Sequence, residues 1–241
     1  MEAIILAGGF GTRLHSVVSD VPKCLAPISG IPFIRYLCQY LKYYNVQHVV
    51  FSVGYLKEQV YQWEESYKQY LPFEVSFAEE MSPLGTGGAI KNSLGYIRGD
   101  EAIVLNGDTF FGIPLDDFCR RHRKAESLIS VALKRMKNFD RYGTVEIDVS
   151  NSRILKFSEK KYCEEGLING GIYLINKGGI LDCNLPDKFS FEMDLLQNCC
   201  EKNGRVYGFA YDDYFIDIGI PADYERAQHE LGNSVANVGE C

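Results

Sequence analysis

Gly8, Gly9 and Gly11 stand close together, Thr12 and Arg13 follow at once, and Lys23 comes shortly after. Glycines let a ligand approach the main chain and leave peptide N–H groups free to cradle phosphate oxygens, while a hydroxyl and two cations add donors and positive charge. This combination is suited to binding phosphate. Further along, Asn106-Gly107-Asp108 ends an apolar run, where an Asp at the carboxyl end of a central strand can reach Mg²⁺ bridging the phosphates of a nucleotide. The same tripeptide also suits a plain turn. His15, His48, His122 and His229 are isolated, with no nucleophile motif around them, which points to catalysis by positioning and charge neutralisation.

Two common phosphate motifs fail on these residues. A dinucleotide fingerprint starting at Gly9 needs a third glycine where Leu14 stands, and a P-loop needs a Gly-Lys pair that the chain lacks. The ordered set Gly8-Gly9-x-Gly11-Thr12-Arg13-Leu14, followed by Pro22-Lys23, resembles the signature of the sugar-1-phosphate nucleotidyltransferases. Cys24 departs from that pattern, where Pro or Ala is frequent. The resemblance implies that Leu6, Ala7, Gly8, Gly9, Gly11, Thr12, Arg13 and Lys23 bind the nucleotide. It also implies that Arg13 and Lys23 offset phosphate charge during catalysis.

The resemblance continues along the chain. Pro83-Leu84-Gly85-Thr86 is similar to the family's base-recognition segment, which adds Pro83, Gly85 and Thr86 to the nucleotide site together with Gly107 and Asp108. Glu79 and Glu80 precede it. Guanine offers two adjacent donors, N1–H and the 2-amino group, that one carboxylate can accept and that uracil and thymine cannot match. Glu80 is the nearer to Pro83 and is favoured; the alternative is that both acids are solvated strand-end charges. Asp217-Ile218-Gly219-Ile220-Pro221 resembles the family's Asp-x-Gly-Thr-Pro, with Ile220 in place of Thr, and implies a second ligand beside Asp108 for one Mg²⁺. Arg141 to Val145, Ser158-Glu159-Lys160 and Ile168-Asn169-Gly170-Gly171-Ile172-Tyr173 resemble the sugar-binding segments, which assigns Gly143, Glu159, Lys160, Asn169 and Gly170 to the sugar.

The implied reaction joins a nucleoside triphosphate to a sugar 1-phosphate and releases pyrophosphate. Within the family, Pro-Leu-Gly-Thr-Gly-Gly-Ala-Ile, Asn-Gly-Gly-Ile-Tyr and Phe-Ser-Phe-Glu-x-Asp are most similar to bacterial D-glycero-α-D-manno-heptose 1-phosphate guanylyltransferases, with mannose-1-phosphate guanylyltransferases next. GTP and a heptose 1-phosphate are then the expected partners. Pyrimidine-nucleotide relatives acting on glucose 1-phosphate, a non-catalytic regulatory paralogue and a nicotinamide dehydrogenase are the competing readings.

These residues need a scaffold of alternating strands and helices. Ala3 to Ala7, His48 to Val53, Phe73 to Phe77 and Ala102 to Leu105 are apolar, β-branched runs. Phe33, Ile34, Leu37, Leu41 and Tyr44 recur at helical spacing after Pro32, and Lys57 to Tyr70 is amphipathic. The alternation predicts an α/β, Rossmann-like single domain, a mostly parallel mixed sheet with helices on both faces and the ligand at the carboxyl ends of the strands. Ser127 to Lys134, Gly143 to Val149, Ile154 to Phe157 and Ile168 to Ile175 predict further strands on the sugar side. Ser190 to Leu196 reads as a capped helix start with a structural role, and Ala222 to Leu231 as a closing helix. The expected division is one domain over residues 1–232, with a nucleotide half to about residue 110 and a sugar half to about residue 220, then a tail over 233–241. No hexapeptide period is present, so no left-handed β-helix domain is expected.

A formal charge of −7 excludes broad binding to nucleic acid or anionic membranes, and no apolar run is long enough to span a bilayer. Met1-Glu2 opens directly into a strand without a signal peptide, which predicts a cytoplasmic enzyme; assembly into a homo-oligomer is left open. The eight cysteines include no C-x-x-C pair, so they are expected to be small buried hydrophobes with one exposed tail thiol at Cys241.

Overall fold

The computed structural model describes the chain except Phe10 to Arg13, His15, Ser16, Ser19, Asn203, Glu240 and Cys241, and gives backbone only for Glu201 and residues 233–239. Its centre is a seven-stranded sheet. The strands in chain order are β1 (Glu2–Leu6), β2 (His48–Val53), β3 (Glu74–Glu79), β4 (Glu101–Asn106), β5 (Ile129–Phe139), β6 (Cys163–Asn176) and β7 (Val206–Tyr211). Across the sheet they run β7-β5-β6-β4-β1-β2-β3, and only β6 lies antiparallel to its neighbours.

The apolar runs become strands because both faces of the sheet are covered. Ala3 and Ile5 of β1 join one hydrophobic core and Ile4 the other, and Val49 and Phe51 of β2 are likewise split from Val50. Such strands need no polar alternation. Helices α1 (Phe33–Tyr43), α2 (Lys57–Tyr67) and α4 (Leu115–Lys124) bury residues in the first core, whereas α3 (Gly85–Leu94) puts Ile90 and Leu94 into the second. The α/β expectation holds, with a mixed sheet and helices on both faces. Among the described residues no helix is long and apolar enough to cross a membrane.

Several expected boundaries shift. β6 starts at Cys163 instead of Ile168, because its charged first residues pair with the end of β5 in an arm beyond the core. The segment from Lys57 leaves α-helix after Tyr67 for a 3₁₀ turn over Lys68–Tyr70. The last helix spans Pro221–Gly239, past Gly232, so residues 233–239 continue it instead of trailing. Cys24, Cys38, Cys119 and Cys200 are buried, while Cys183 is exposed, an exception to the expected pattern; Cys241 lies outside the described residues.

Candidate active site

A cavity of about 750 Å³ opens at the carboxyl ends of β1 to β4. Its wall includes Leu6, Ala7, Gly8 and Gly9 from the end of β1, Gly54 and Tyr55 after β2, Glu80 after β3, and Asn106, Gly107 and Asp108 at the end of β4. The close approach of the β1 and β4 ends requires a glycine. The Gly107 N–H donates to the Leu6 carbonyl at 3.0 Å, and a Cβ at Gly107 would come within 2.3 Å of that same oxygen. Leu14, which breaks the dinucleotide fingerprint, is fully buried, and its carbonyl accepts from the N–H groups of Val17 and Val18. It anchors the stretch leaving the glycine loop. Gly11, Thr12 and Arg13 lie outside the described residues.

Lys23 opens a 3₁₀ turn over Lys23–Leu25 whose Cys24 and Leu25 are buried, so the lysine is held on a rigid base. Its Nζ lies 3.1 Å from Asp108 Oδ2. Asp217 ends a short strand, Phe215–Asp217, that pairs antiparallel with Thr109–Phe111 and sets Asp217 opposite Thr109. The Ile218 N–H also donates to the Asp108 carbonyl at 2.9 Å, which fixes the two acids as neighbours although they are far apart in sequence. Asp217 Oδ1 accepts from the Gly219 N–H at 2.7 Å. Burial first, and then the negative charge of Asp108, push its carboxyl up to about 6. Two adjacent carboxylates, one buried at such a cost, fit a divalent cation that takes its remaining ligands from water and phosphate. Among the described residues no group of three or more His, Cys, Asp or Glu gathers into a complete protein cage.

Glu79 and Glu80 part company. The Glu79 carboxylate accepts from Lys57 Nζ at 2.7 Å and from the Tyr61 hydroxyl at 2.5 Å, so it is tied to α2. Glu80 lines the cavity; its Oε2 accepts from the Leu84 N–H at 3.1 Å, and its Oε1 lies within 2.7 Å of where a Gly8 Cβ would stand. Pro83, Gly85 and Thr86 line the same wall. The start of α3 is not an open anion site, because the N–H groups of Gly87 and Gly88 donate to the Phe189 carbonyl.

On the β6 side, Asn169 precedes an irregular step in strand register in which Gly171 adopts φ +74°. Asn169 Oδ1 accepts from the Gly171 N–H at 3.0 Å, while its Nδ2 donates to the Tyr173 hydroxyl at 2.8 Å and to Glu192 Oε1 at 2.7 Å. Tyr173, Ser190, Phe191 and Glu192 line the cavity. Gly170 faces inward instead: a Cβ there would meet the Phe111 ring at 2.4 Å, so core packing accounts for that glycine. Asn169 is itself not among the cavity-lining residues and touches the wall through Tyr173 and Glu192; nor are Gly143, Glu159 and Lys160. They lie near a small hairpin, Val145–Ile147 with Ile154–Phe157, which is anchored to β6 by the bridge between Thr144 and Ile168.

Sequence reasoning missed the 190–192 wall. Ser190 does cap the following turn, accepting from the Met193 N–H at 3.2 Å, but residues Phe191–Leu196 form a π-helix that turns Glu192 to the cavity. The available signal was the Phe-Ser-Phe-Glu-x-Asp stretch itself, with a carboxylate inside a segment already similar to the family.

Residues 2–234 match the family described as Nucleotidyl transferase. The chain belongs to this family. It is 45% identical over 234 residues to a D-glycero-alpha-D-manno-heptose 1-phosphate guanylyltransferase of Aneurinibacillus thermoaerophilus, covering 96% of this chain and 98% of that protein. A protein of the same description from Campylobacter jejuni is 45% identical over 224 residues, covering 93% and 97% of the two chains. Among solved structures, HddC from Yersinia pseudotuberculosis complexed with GMP-PN superposes with a TM-score of 0.83 at 38% identity, covering 95% of this nucleotidyl transferase and 99% of that chain.

Proposed function

We propose that this nucleotidyl transferase is a sugar-1-phosphate guanylyltransferase that condenses GTP with D-glycero-α-D-manno-heptose 1-phosphate to give GDP-heptose and pyrophosphate. The observation that carries the reading is near full-length 45% identity to two heptose 1-phosphate guanylyltransferases. The cavity supports it with Glu80, whose Oε1 faces the glycine loop where a guanine edge can supply two donors.

A phosphate oxygen of the sugar 1-phosphate attacks the α-phosphorus of GTP, and the bond from that phosphorus to the bridging oxygen of the β-phosphate breaks, releasing pyrophosphate. No general base is required, because a phosphomonoester with a second pKa of about 6 is already largely dianionic near neutral pH. The described histidines agree with this. His48 is held by Glu2 and Ser76, His122, pushed down to about 4 by burial, bonds Ser130, and His229 lies exposed on the last helix; none of the three lines the cavity. Lys23 offsets charge on the reacting phosphates, Arg13 adds to it, and the glycine loop supplies N–H donors. Asp108 and Asp217 are the residues that would hold Mg²⁺, which when bound neutralises phosphate charge and orients the triphosphate. The motif resemblance assigns Asn169 and Glu159 to the sugar hydroxyls and Lys160 to the sugar phosphate, from segments next to the cavity lining and not within it. The enzyme works in the cytoplasm.

Pyrophosphate release, measured across four nucleoside triphosphates and several sugar 1-phosphates, tests the proposal. Turnover should be greatest with GTP and the heptose 1-phosphate. A preference for mannose 1-phosphate would retain the guanylyltransferase assignment and replace the sugar.

A further inference from the structure

Glu192 faces the cavity with one carboxylate oxygen committed and one left over. Oε1 accepts from Asn169 Nδ2 at 2.7 Å and from the Tyr173 hydroxyl at 3.2 Å. Among the described residues Oε2 takes no hydrogen bond. The Asn169 amide cannot turn, because its own oxygen is held by the Gly171 N–H, and Tyr173 is buried with its ring edge-on to Phe191 at 5.0 Å. The backbone is fixed as well: the Phe191 N–H donates to Thr86 Oγ1 at 3.0 Å and the Ser190 N–H to Asp194 Oδ2 at 2.7 Å. A single-turn π-helix is uncommon and is often retained where it aims a side chain at a site.

We infer that Glu192 is a specificity-determining residue for the sugar, its free oxygen accepting hydrogen bonds from adjacent hydroxyls of the sugar ring; the inference rests on the guanylyltransferase reading above. Charge decides which part of the substrate it meets. A carboxylate repels phosphate, so Glu192 must face the hydroxyl-bearing ring, while Lys23 takes the phosphates. Position across the sheet agrees. Glu80 reaches back from β3 to Gly8 and Gly54 at the ends of β1 and β2, Lys23 and Asp108 meet past the end of β4 with Asp217 beside them, and the Asn169–Tyr173–Glu192 group lies at β6 on the other side of β4. Tyr173 and Glu192 line the same cavity as Lys23, Asp108 and Asp217, so the cluster belongs to the site and not to a remote surface. An acceptor held in advance by two donors loses little freedom on meeting hydroxyls, which makes it an effective selector among epimers.

Steady-state kinetics of Glu192→Gln and Glu192→Ala, with GTP and sugar 1-phosphate varied separately, test this. A hydrogen bond to a charged acceptor is worth enough for a change of about tenfold. The expected result is a rise of about tenfold in KM for the heptose 1-phosphate and no more than about twofold in KM for GTP, in proteins whose melting temperature matches wild type. The preference for the heptose 1-phosphate over α-D-glucose 1-phosphate should fall by about the same factor. Unchanged sugar KM and unchanged preference in an active enzyme overturn the inference and leave the guanylyltransferase reading standing. Parallel loss for both substrates overturns it too, since that is the signature of a loosened wall. Wild-type protein that turns over no sugar 1-phosphate overturns the reading and this inference together.

Discussion

The two sides of the cavity are built differently. On the glycine-loop side, Gly8, Gly54, Glu80 and Asp108 each stand just past the carboxyl end of a parallel strand, so the sheet itself delivers them to one place. On the β6 side, Asn169 and Tyr173 lie within an antiparallel strand and meet Glu192 from a π-helix far along the chain. Parallel strand ends concentrate chemistry into short motifs, whereas an antiparallel strand needs a partner from elsewhere to complete its site.

The largest effects should come from the centre that both sides share. Asp108→Asn and Asp217→Asn should each reduce turnover by at least ~10², because each removes a charged metal ligand while keeping shape. Near wild-type rates at saturating Mg²⁺ would remove that residue from the metal site. Lys23→Ala should lower kcat more than it raises KM for GTP, its interaction strengthening as charge moves in the transition state.

A paired glycine substitution separates the two sides. Gly8→Ala drives a Cβ to within 2.7 Å of Glu80 Oε1, so KM for GTP should rise about tenfold in a protein of nearly normal stability. Gly170→Ala meets the core ring of Phe111 at 2.4 Å and should cost about 1–3 kcal/mol of folding stability. Denaturant melts and GTP kinetics on both variants check this; a kinetic defect from Gly170→Ala without a loss of stability would place that glycine against substrate after all.

Smaller effects follow from proton linkage. Burial and then the charge of Asp108 push the Asp217 carboxyl up from 3.8 to about 6, so its share of stability is present below 3.8 and is lost as pH rises through 6. A bound divalent cation favours the ionised form and reverses that loss. The gain in melting temperature on adding Mg²⁺ should therefore be larger at about pH 7.5 than at about pH 5, and Asp217→Asn should flatten the difference. Equal gains at both pH values would remove Asp217 from the cation site. Least of all, Glu79→Gln should leave base preference unchanged in a GTP-against-ITP comparison, since Lys57 and Tyr61 already occupy that carboxylate.

The same contrast explains what the sequence made legible. His48–Val53 and Ile154–Phe157 match their expected spans, and Lys23 and Asp108, expected in one site from separate motifs, stand 3.1 Å apart. Choosing between Glu79 and Glu80 required knowing which one Lys57 and Tyr61 capture, a contact between separate elements. Glu192 was hidden because its segment satisfies ordinary capping chemistry, and Ser190 alone does not show that the turn widens to a π-helix. Gly170 carries a second reason for being glycine that the motif does not show, because a core ring fills the space a side chain would take.

Selection of guanine by the glycine-loop side is the step on which the guanylyltransferase assignment depends. It is tested most directly by supplying equimolar GTP, ATP, CTP, UTP and dTTP together with D-glycero-α-D-manno-heptose 1-phosphate and weighing the nucleotide sugars formed by mass spectrometry. GDP-heptose should dominate, since the Glu80 carboxylate can accept from both guanine donors. A product mixture led by ADP-, UDP-, dTDP- or CDP-heptose would contradict it.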